Sequence, residues 1–192
     1  MIRAFLAITP PPQIKSNIAH IIKGLHTQFP SVRWENPQKV HLTLAFLGAL
    51  SQEKLVKLRT ILKDITREVP PFELTVTNLS YFHKKHADSI VFLNVEDRTK
   101  ALRSVYRTLM TQLTGERIFL PQRLAPHITI GRVKRTRFPH EVKNILHELS
   151  KVQDMTIERF TVDAIDLYES LYSKEVNTTQ YRILQSFQLS RE

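Results

Sequence analysis

One four-residue pattern occurs twice in the sequence and constrains both the fold and the chemistry of the chain. His-Leu-Thr-Leu at 41–44 returns as His-Ile-Thr-Ile at 127–130. In both copies a polar residue alternates with an aliphatic one, which is the period-two pattern of a strand with one buried face. The repeat therefore predicts two equivalent strands, each burying its aliphatic residues and turning a histidine and a threonine to the opposite face.

Four amphipathic helices are predicted to alternate with short β-like runs. The helices are expected after the prolines at 10–12, after Ser51, near Asp97 and after Pro139. The β-like runs cover 2–8, 40–47, 72–77, 89–95, 128–133, 156–168 and 181–187. This alternation indicates a layered α/β or α+β domain. No low-complexity linker interrupts it, so residues 1–192 are expected to form a single unit of two lobes.

Composition excludes several classes of protein. With only four glycines, neither a G-x-G-x-x-G nor a Walker A motif can be written, which excludes the classical dinucleotide and P-loop folds. The absence of cysteine excludes disulfides, thiolate nucleophiles and Cys-based zinc sites. No apolar run reaches the length of a membrane span, and no signal peptide is apparent, so a cytoplasmic protein without membrane association is expected. The net charge of +10 favours a polyanionic partner.

The two histidines suggest paired acid–base chemistry. Imidazoles on equivalent strands of two similar lobes would meet across a groove, where one acts as a base while the other, protonated, acts as an acid. The threonine hydroxyls on the same face suit a tetrahedral oxyanion such as phosphate. A single copy would more simply be a polar residue on a solvated strand face, but the repetition favours the paired site. Zinc needs a third ligand that the two motifs do not supply, so no metal site is expected.

The stretches at 33–48 and 125–134 carry a family resemblance. Both are similar to the two-histidine (2H) phosphoesterase superfamily and, within it, to the RNA 2′,3′-cyclic phosphodiesterases once called 2′-5′ RNA ligases. The resemblance implies an α+β fold in which two pseudo-symmetric antiparallel β-sheet lobes, with outer helices, face a central cleft. It also implies hydrolysis of an RNA 2′,3′-cyclic phosphate end to a 2′-phosphate, with no metal and no cofactor.

The same resemblance implies roles for the residues of the two motifs. His127 becomes the base that takes a proton from water, and His41 becomes the acid that protonates the departing 3′ oxygen. Thr43 and Thr129 become ligands of the phosphate oxygens. Arg132 adds a charged donor to the same group.

Two of the implied roles conflict with strict strand alternation. Arg132 has the opposite parity to His127, so a phosphate-binding role requires the strand to end or bulge; its alternative is a surface arginine. The resemblance also implies that Phe46 can stack on the terminal base. Alternation instead groups Phe46 with Leu42 and Leu44 in the core. Both interpretations stay open at this stage.

The expected partner is an RNA that ends in a 2′,3′-cyclic phosphate. The basic cluster at 132–137 directly follows the second motif and suits contact with an RNA backbone, or forms a charged loop that keeps the protein soluble. A monomer is expected, and reverse 2′-5′ ligation is a possible side reaction. The alternatives are a non-catalytic basic RNA-binding module and a 2H phosphodiesterase acting on small cyclic nucleotide phosphates.

Overall fold

The computed structural model describes residues 1–84, 86–118, 123–136, 138–152, 158–173 and 178–190. Within these ranges the strands are β1 (Ile2–Ile8), β2 (Arg33–Trp34), β3 (Leu42–Leu50), β4 (Phe72–Phe82), β5 (Ser89–Glu96), β6 (His127–Val133), β7 (Glu158–Val162), β8 (Ala164–Ser173) and β9 (Thr178–Gln188). The helices are α1 (Pro12–Gln28), α2 (Gln52–Arg67), α3 (Ala101–Gly115) and α4 (Pro139–Leu149), and a 3-10 turn covers Pro37–Lys39. None of these helices is long and apolar enough to cross a membrane.

The strands form one antiparallel sheet made of two halves. Their order is β7-β4-β5-β6-β3-β1-β8-β9, and the short β2 is added on β6. The halves β7-β4-β5-β6 and β3-β1-β8-β9 meet where Leu42 of β3 pairs with Ile128 of β6. The expected two-lobed α+β fold is thus confirmed, and hydrogen bonding continues from one lobe into the other.

The helices cover one face of this sheet, since buried residues of all four join one hydrophobic cluster, and no helix among the described residues contributes to the smaller cluster on the other face. All four aliphatic residues of the repeated motifs are buried and share a hydrophobic cluster with leucines of α2 and α3. Three helices begin where the sequence predicts: prolines open α1 and α4, and the Ser51 hydroxyl caps α2 by accepting the N–H of Lys54 at 3.3 Å. The fourth, α3, begins at Ala101, four residues after Asp97. Because the helices cover the aliphatic side, the polar residues of both motifs lie on the open side.

Several strand predictions need correction. The run expected at 40–47 is β3 at Leu42–Leu50, so His41 directly precedes the strand, and the run expected at 72–77 continues to Phe82. The run at 156–168, expected as a single strand, breaks at the exposed Asp163 into β7 and β8; residues 156 and 157 lie outside the described ranges. The break has a topological consequence, because β7 pairs with β4 while β8 pairs with β1, in opposite halves of the sheet. No glycine or proline marks the break within 156–168, so the local sequence does not report this change of partner. β2 has only two residues, which is too short for the alternation of a strand to be recognised in the sequence.

Candidate active site

The polar residues of the two motifs share the open face of the sheet. His41, Thr43, His127 and Thr129 are all half-buried, whereas the aliphatic residues between them are fully buried. The predicted alternation is therefore present in both strands. Side chains that point to the same face of adjacent strands are neighbours, so the two motifs form one polar patch.

The pair formed by Leu42 and Ile128 brings the two motifs side by side. β3 and β6 are antiparallel, so the residue before Leu42 is next to the residue after Ile128. Thr129 is therefore next to His41, and Thr43 is next to His127. The two imidazoles are near enough to interact electrostatically. Each hydroxyl is thus placed beside the histidine of the other motif.

Both histidines are held by the same backbone contact. His41 Nδ1 lies 2.8 Å from the carbonyl of Lys39, and His127 Nδ1 lies 2.6 Å from the carbonyl of Ala125. A carbonyl oxygen only accepts hydrogen bonds, so Nδ1 carries the proton in each ring and donates it. Nε2 is then the nitrogen left for chemistry in both motifs.

Aromatic side chains enclose the His41 ring. Its centroid lies 5.0 Å from that of Phe5 and 5.1 Å from that of Tyr181, which it meets edge-on at 82°. Phe5 in turn stacks on Tyr168 at 4.9 Å. The Tyr168 hydroxyl is 2.6 Å from the hydroxyl of Thr9, so this aromatic wall is itself anchored by a hydrogen bond.

The His127 ring has an aromatic wall of different composition. Phe82 meets it edge-on at 5.3 Å and 87°, and Phe92 contacts it at 5.1 Å. Each wall restricts the rotation of an imidazole that is already held by the hydrogen bond from its Nδ1 to a backbone carbonyl. His41 alone has tyrosines in its wall, among the described residues that contact the two rings.

Burial is the main influence on the pKa of His41, which it lowers from the ordinary value of 6.5. The hydrogen bond to the Lys39 carbonyl and the Glu35 carboxylate raise the pKa of His41, whereas electrostatic interaction with His127 and Lys15 lowers it further. Tyr181 is perturbed as well: burial raises the pKa of its phenol, Glu35 raises it further, and Arg132 lowers it. Glu35 therefore affects the pKa of both His41 and Tyr181, and Arg132 affects that of Tyr181.

A β-bulge in β3 decides the position of Phe46. Leu6 pairs with Ala45 and Ala7 pairs with Thr43, so Leu44 is an extra residue that reverses the alternation beyond it. Ala45 is consequently buried and Phe46 is 62% exposed on the face of the histidines, with its ring 6.1 Å from that of Phe5. The alternation that assigned Phe46 to the core with Leu42 and Leu44 is wrong beyond the bulge.

A second bulge in β6 does the same for Arg132. Val91 pairs with Gly131 and Phe92 pairs with Thr129, so Ile130 is the extra residue. Gly131 is buried and Arg132 is half-buried on the face of Thr129. The structure therefore contains the bulge that a phosphate-binding role for Arg132 requires. Phe46 and Arg132 occupy equivalent places, each five residues after its histidine and each turned by a bulge at the fourth motif position.

Close packing against Trp34 explains the glycine beside Arg132. A Cβ atom at Gly131 would lie 2.8 Å from Trp34 Cε3 and 3.2 Å from Val32 Cγ1. Trp34 pairs with Gly131 across β2 and β6, and its indole N–H donates to the carbonyl of Phe29 at 3.2 Å. The only tryptophan of the chain thus has a packing role, and it supports the strand that carries Arg132.

Sequence reasoning missed Glu35 as a site residue. Its carboxylate pairs with Arg132, Oε1 lying 3.3 Å from Nε, and its backbone N–H donates to the carbonyl of Ile130 at 2.8 Å. It also missed Tyr168 and Tyr181, which come from the far end of the chain. Glu35 falls inside the stretch that carries the family resemblance, but no spacing rule links it to Arg132.

Part of the predicted basic cluster can be placed. Lys134 and Arg135 follow β6, and the backbone N–H of Arg135 donates to the Asp88 carboxylate at 3.0 Å. Arg137 lies outside the described residues. In the ranges that the structure covers, no three potential metal ligands (His, Cys, Asp or Glu) come together.

Proteins of similar sequence are named as RNA 2′,3′-cyclic phosphodiesterases. The one from Thermotoga maritima is 29% identical over 168 residues, covering 88% of this chain and 86% of the relative. The one from Methanothermobacter thermautotrophicus is 28% identical over 156 residues, covering 79% of this chain and 82% of the relative.

Solved structures share the whole fold. Escherichia coli LigT in complex with 3′-AMP superposes with a TM-score of 0.75 at 24% identity and covers 99% of both chains. Thermus thermophilus TT0787 also has a TM-score of 0.75, at 19% identity, and covers 98% of both chains. At these identities the likeness shows the fold alone.

The family model for the 2′-5′ RNA ligase superfamily matches residues 10–172, which include both histidine motifs and both bulges. This match confirms the resemblance first seen at 33–48 and 125–134, and it supports phosphoesterase activity. The chain belongs to the 2′-5′ RNA ligase superfamily.

Proposed function

We propose that the protein hydrolyses RNA 2′,3′-cyclic phosphate ends to 2′-phosphates by paired histidine catalysis without a metal ion. One observation carries the proposal: two His-x-Thr strands meet at Leu42 and Ile128, and each imidazole donates from Nδ1 to a backbone carbonyl. Two free Nε2 atoms on one face, flanked by hydroxyls, form an acid–base pair around a tetrahedral group.

In the proposed reaction water is the nucleophile. Nε2 of His127 takes a proton from water as its oxygen attacks phosphorus, and the bond between phosphorus and the 3′ oxygen breaks. Nε2 of His41 delivers a proton to that oxygen, leaving a 3′-hydroxyl and a 2′-phosphate. The direction of the assignment follows the family resemblance.

The environment of His41 suits the role of an acid. Burial lowers its pKa, so its protonated form gives up a proton more readily than an exposed imidazolium does. A bound phosphate anion raises the pKa again and increases the protonated fraction before reaction. Binding of the substrate thus favours the protonated form of His41 that cleavage requires.

Three further side chains are proposed to hold the phosphate. Thr43 and Thr129 donate their hydroxyls to the non-bridging oxygens, and Arg132 adds a charged donor where negative charge develops in the transition state. Glu35 neutralises Arg132 in the free protein and fixes the direction of its guanidinium. An incoming phosphate would share or take over that contact.

Phe46 is proposed to stack on the terminal base. Its ring is 62% exposed on the face of the histidines, in a position equivalent to that of Arg132. An exposed aromatic ring stacks on any base, because every base has a π-face. The proposal therefore includes no preference for one terminal nucleotide.

Names of relatives support RNA as the substrate, and the net charge of +10 agrees with a polyanion.

The same site can run the reverse step and join a cyclic phosphate to a 5′-hydroxyl as a 2′-5′ linkage. Water at about 55 M competes with the second RNA end unless binding provides a large effective concentration, so ligation is proposed as a side reaction.

The test uses RNA that ends in a 2′,3′-cyclic phosphate, with EDTA present. The expected product is an RNA with a 2′-phosphate, and His41→Ala and His127→Ala are each expected to lower the rate at least a hundredfold. Unchanged rates in both variants would contradict the paired mechanism. A protein that binds RNA in a salt-dependent way but hydrolyses no cyclic phosphate would instead be the non-catalytic binding module.

A further inference from the structure

A cavity of about 690 Å³ opens beside the proposed phosphate site. Arg132 and Tyr181 line it, and Tyr181 also contacts the His41 ring edge-on at 5.1 Å. The cavity therefore lies next to His41, with the Tyr181 ring between them. Its volume lies in the range of roughly 300–1,000 Å³ that is typical of pockets for small-molecule ligands.

The charges that line this cavity favour an anion. Its cations are Arg33, Lys39 and Arg132, and its anions are Glu35 and Asp88. Both anions already have partners, since Glu35 pairs with Arg132 and Asp88 accepts the N–H of Arg135. Arg33 and Lys39 take part in none of the salt bridges between residues that the structure describes.

Rigid elements position these two cations. Arg33 belongs to β2, where it pairs with Arg132 of β6. Lys39 ends the 3-10 turn that Asn36 caps by accepting the N–H of Gln38 at 2.9 Å. The carbonyl of Lys39 is also the group that fixes His41. Arg33 is thus connected to β6 through β2, and Lys39 is connected to His41 through its own carbonyl.

An aromatic ring completes the cavity. Tyr172 lines it from the β8–β9 hairpin and is 63% exposed despite its size. Cations that follow a phosphate backbone, together with an exposed aromatic ring, are the combination by which proteins bind single-stranded nucleic acid. The cavity therefore has both components of a nucleotide site, separate from the ring of Phe46.

We infer that this cavity binds the nucleotide on the 5′ side of the cyclic phosphate end. Arg33 and Lys39 contact the internucleotide phosphate, and Tyr172 stacks on the base of the penultimate nucleotide. This inference rests on the proposed function and deepens it. An RNA end is then distinguished from a cyclic mononucleotide, because only the RNA end can fill the cavity.

The test compares adenosine 2′,3′-cyclic phosphate with the dinucleotide ApA that carries the same cyclic end. We expect kcat/KM of the wild-type protein to be at least about tenfold higher for the dinucleotide. In the double variant Arg33→Gln/Lys39→Gln the ratio of the two kcat/KM values should fall close to one. Tyr172→Ala should lower the ratio, and Tyr172→Phe, which keeps the ring, should preserve it.

A matched control removes the same charge elsewhere. Lys63→Gln/Arg107→Gln changes two exposed cations on α2 and α3, and it should keep the wild-type ratio. Arg33→Gln alone provides a second variant with a smaller change, and its ratio should fall part of the way. A wild-type ratio near one, a ratio unaffected by Arg33→Gln/Lys39→Gln, or an equal fall in the control would overturn the inference. Failure of the wild-type protein to hydrolyse either compound would instead overturn the proposed function.

Discussion

Glu35 and Arg132 form an ion pair, with Oε1 and Nε 3.3 Å apart, although 97 residues separate them in the sequence. Both side chains are about one-third exposed, at 32% and 33%. The pair joins the β2 segment to the end of β6 beside the histidines. It also affects the titration of the site, because the Glu35 carboxylate raises the pKa of His41.

Glu35→Gln should therefore change both phosphate binding and the titration of His41. Without the carboxylate, Arg132 keeps its full charge for an anion, and we expect inorganic phosphate to bind several-fold more tightly. The pKa of His41 should fall further, as followed by NMR titration of the imidazole. Glu73→Gln is the matched control, since Glu73 forms an exposed pair with Arg159. An unchanged His41 titration in Glu35→Gln would contradict the electrostatic link.

The assignment of acid and base can be tested with a better leaving group. A substrate with sulfur in place of the bridging 3′ oxygen expels a thiolate, which needs no protonation near neutral pH. If His41 is the acid, the rate that His41→Ala loses with the oxygen substrate should be largely restored with the sulfur substrate. His127→Ala should stay slow with both substrates, since attack by water still needs a base. Rescue of His127→Ala alone would reverse the assignment.

Gly131→Ala should destabilise the protein. The added Cβ would lie 2.8 Å from Trp34 Cε3, and relief of this overlap requires the indole or β6 to move. We expect the free energy of unfolding, measured by urea titration, to fall by about 1–3 kcal/mol. Gly24→Ala is the control: it lies in α1 with nothing within 4 Å of its Cβ, and it should stabilise by about 0.5–1 kcal/mol. Equal stabilities of the two variants would contradict the packing argument.

His41 should make stability depend on pH in the weakly acidic range. Its pKa in the folded protein is lowered from 6.5, so between these two values the unfolded chain binds more protons. Its contribution to stability is therefore present above about pH 6.5 and is lost as the pH falls towards the lower, folded-state pKa. Urea titrations at pH 5, 6, 7 and 8 should show that wild type loses stability in acid relative to His41→Gln. If the free energy of unfolding changed with pH in the same way in wild type and His41→Gln, burial would not perturb the pKa of His41.

Much of the site could be predicted because its signal is local. The alternation in both motifs follows from a strand that buries one face, and it correctly separates His41 and Thr43 from Leu42. Proline and serine at the helix starts act through neighbouring backbone groups, so Ser51 and Pro139 could be recognised as well. These features depend on a few adjacent residues, and the sequence shows all of them.

The orientations of Phe46 and Arg132 could not be predicted in the same way. Whether Phe46 and Arg132 face the histidines depends on one extra residue in β3 and one in β6, and the extra residue is defined only by the partner strands.

By itself, then, the sequence determined the alternating strands, most helix starts, the two histidine motifs and the basic charge. The strands and helix starts depend on near neighbours, and the motifs and the charge are read directly from the residues. Only the tertiary structure decided that Leu42 meets Ile128, that Glu35 neutralises Arg132, and that Tyr172 faces the cavity shared with Arg33. Those contacts join residues far apart in the chain, and packing of the complete sheet brings them together.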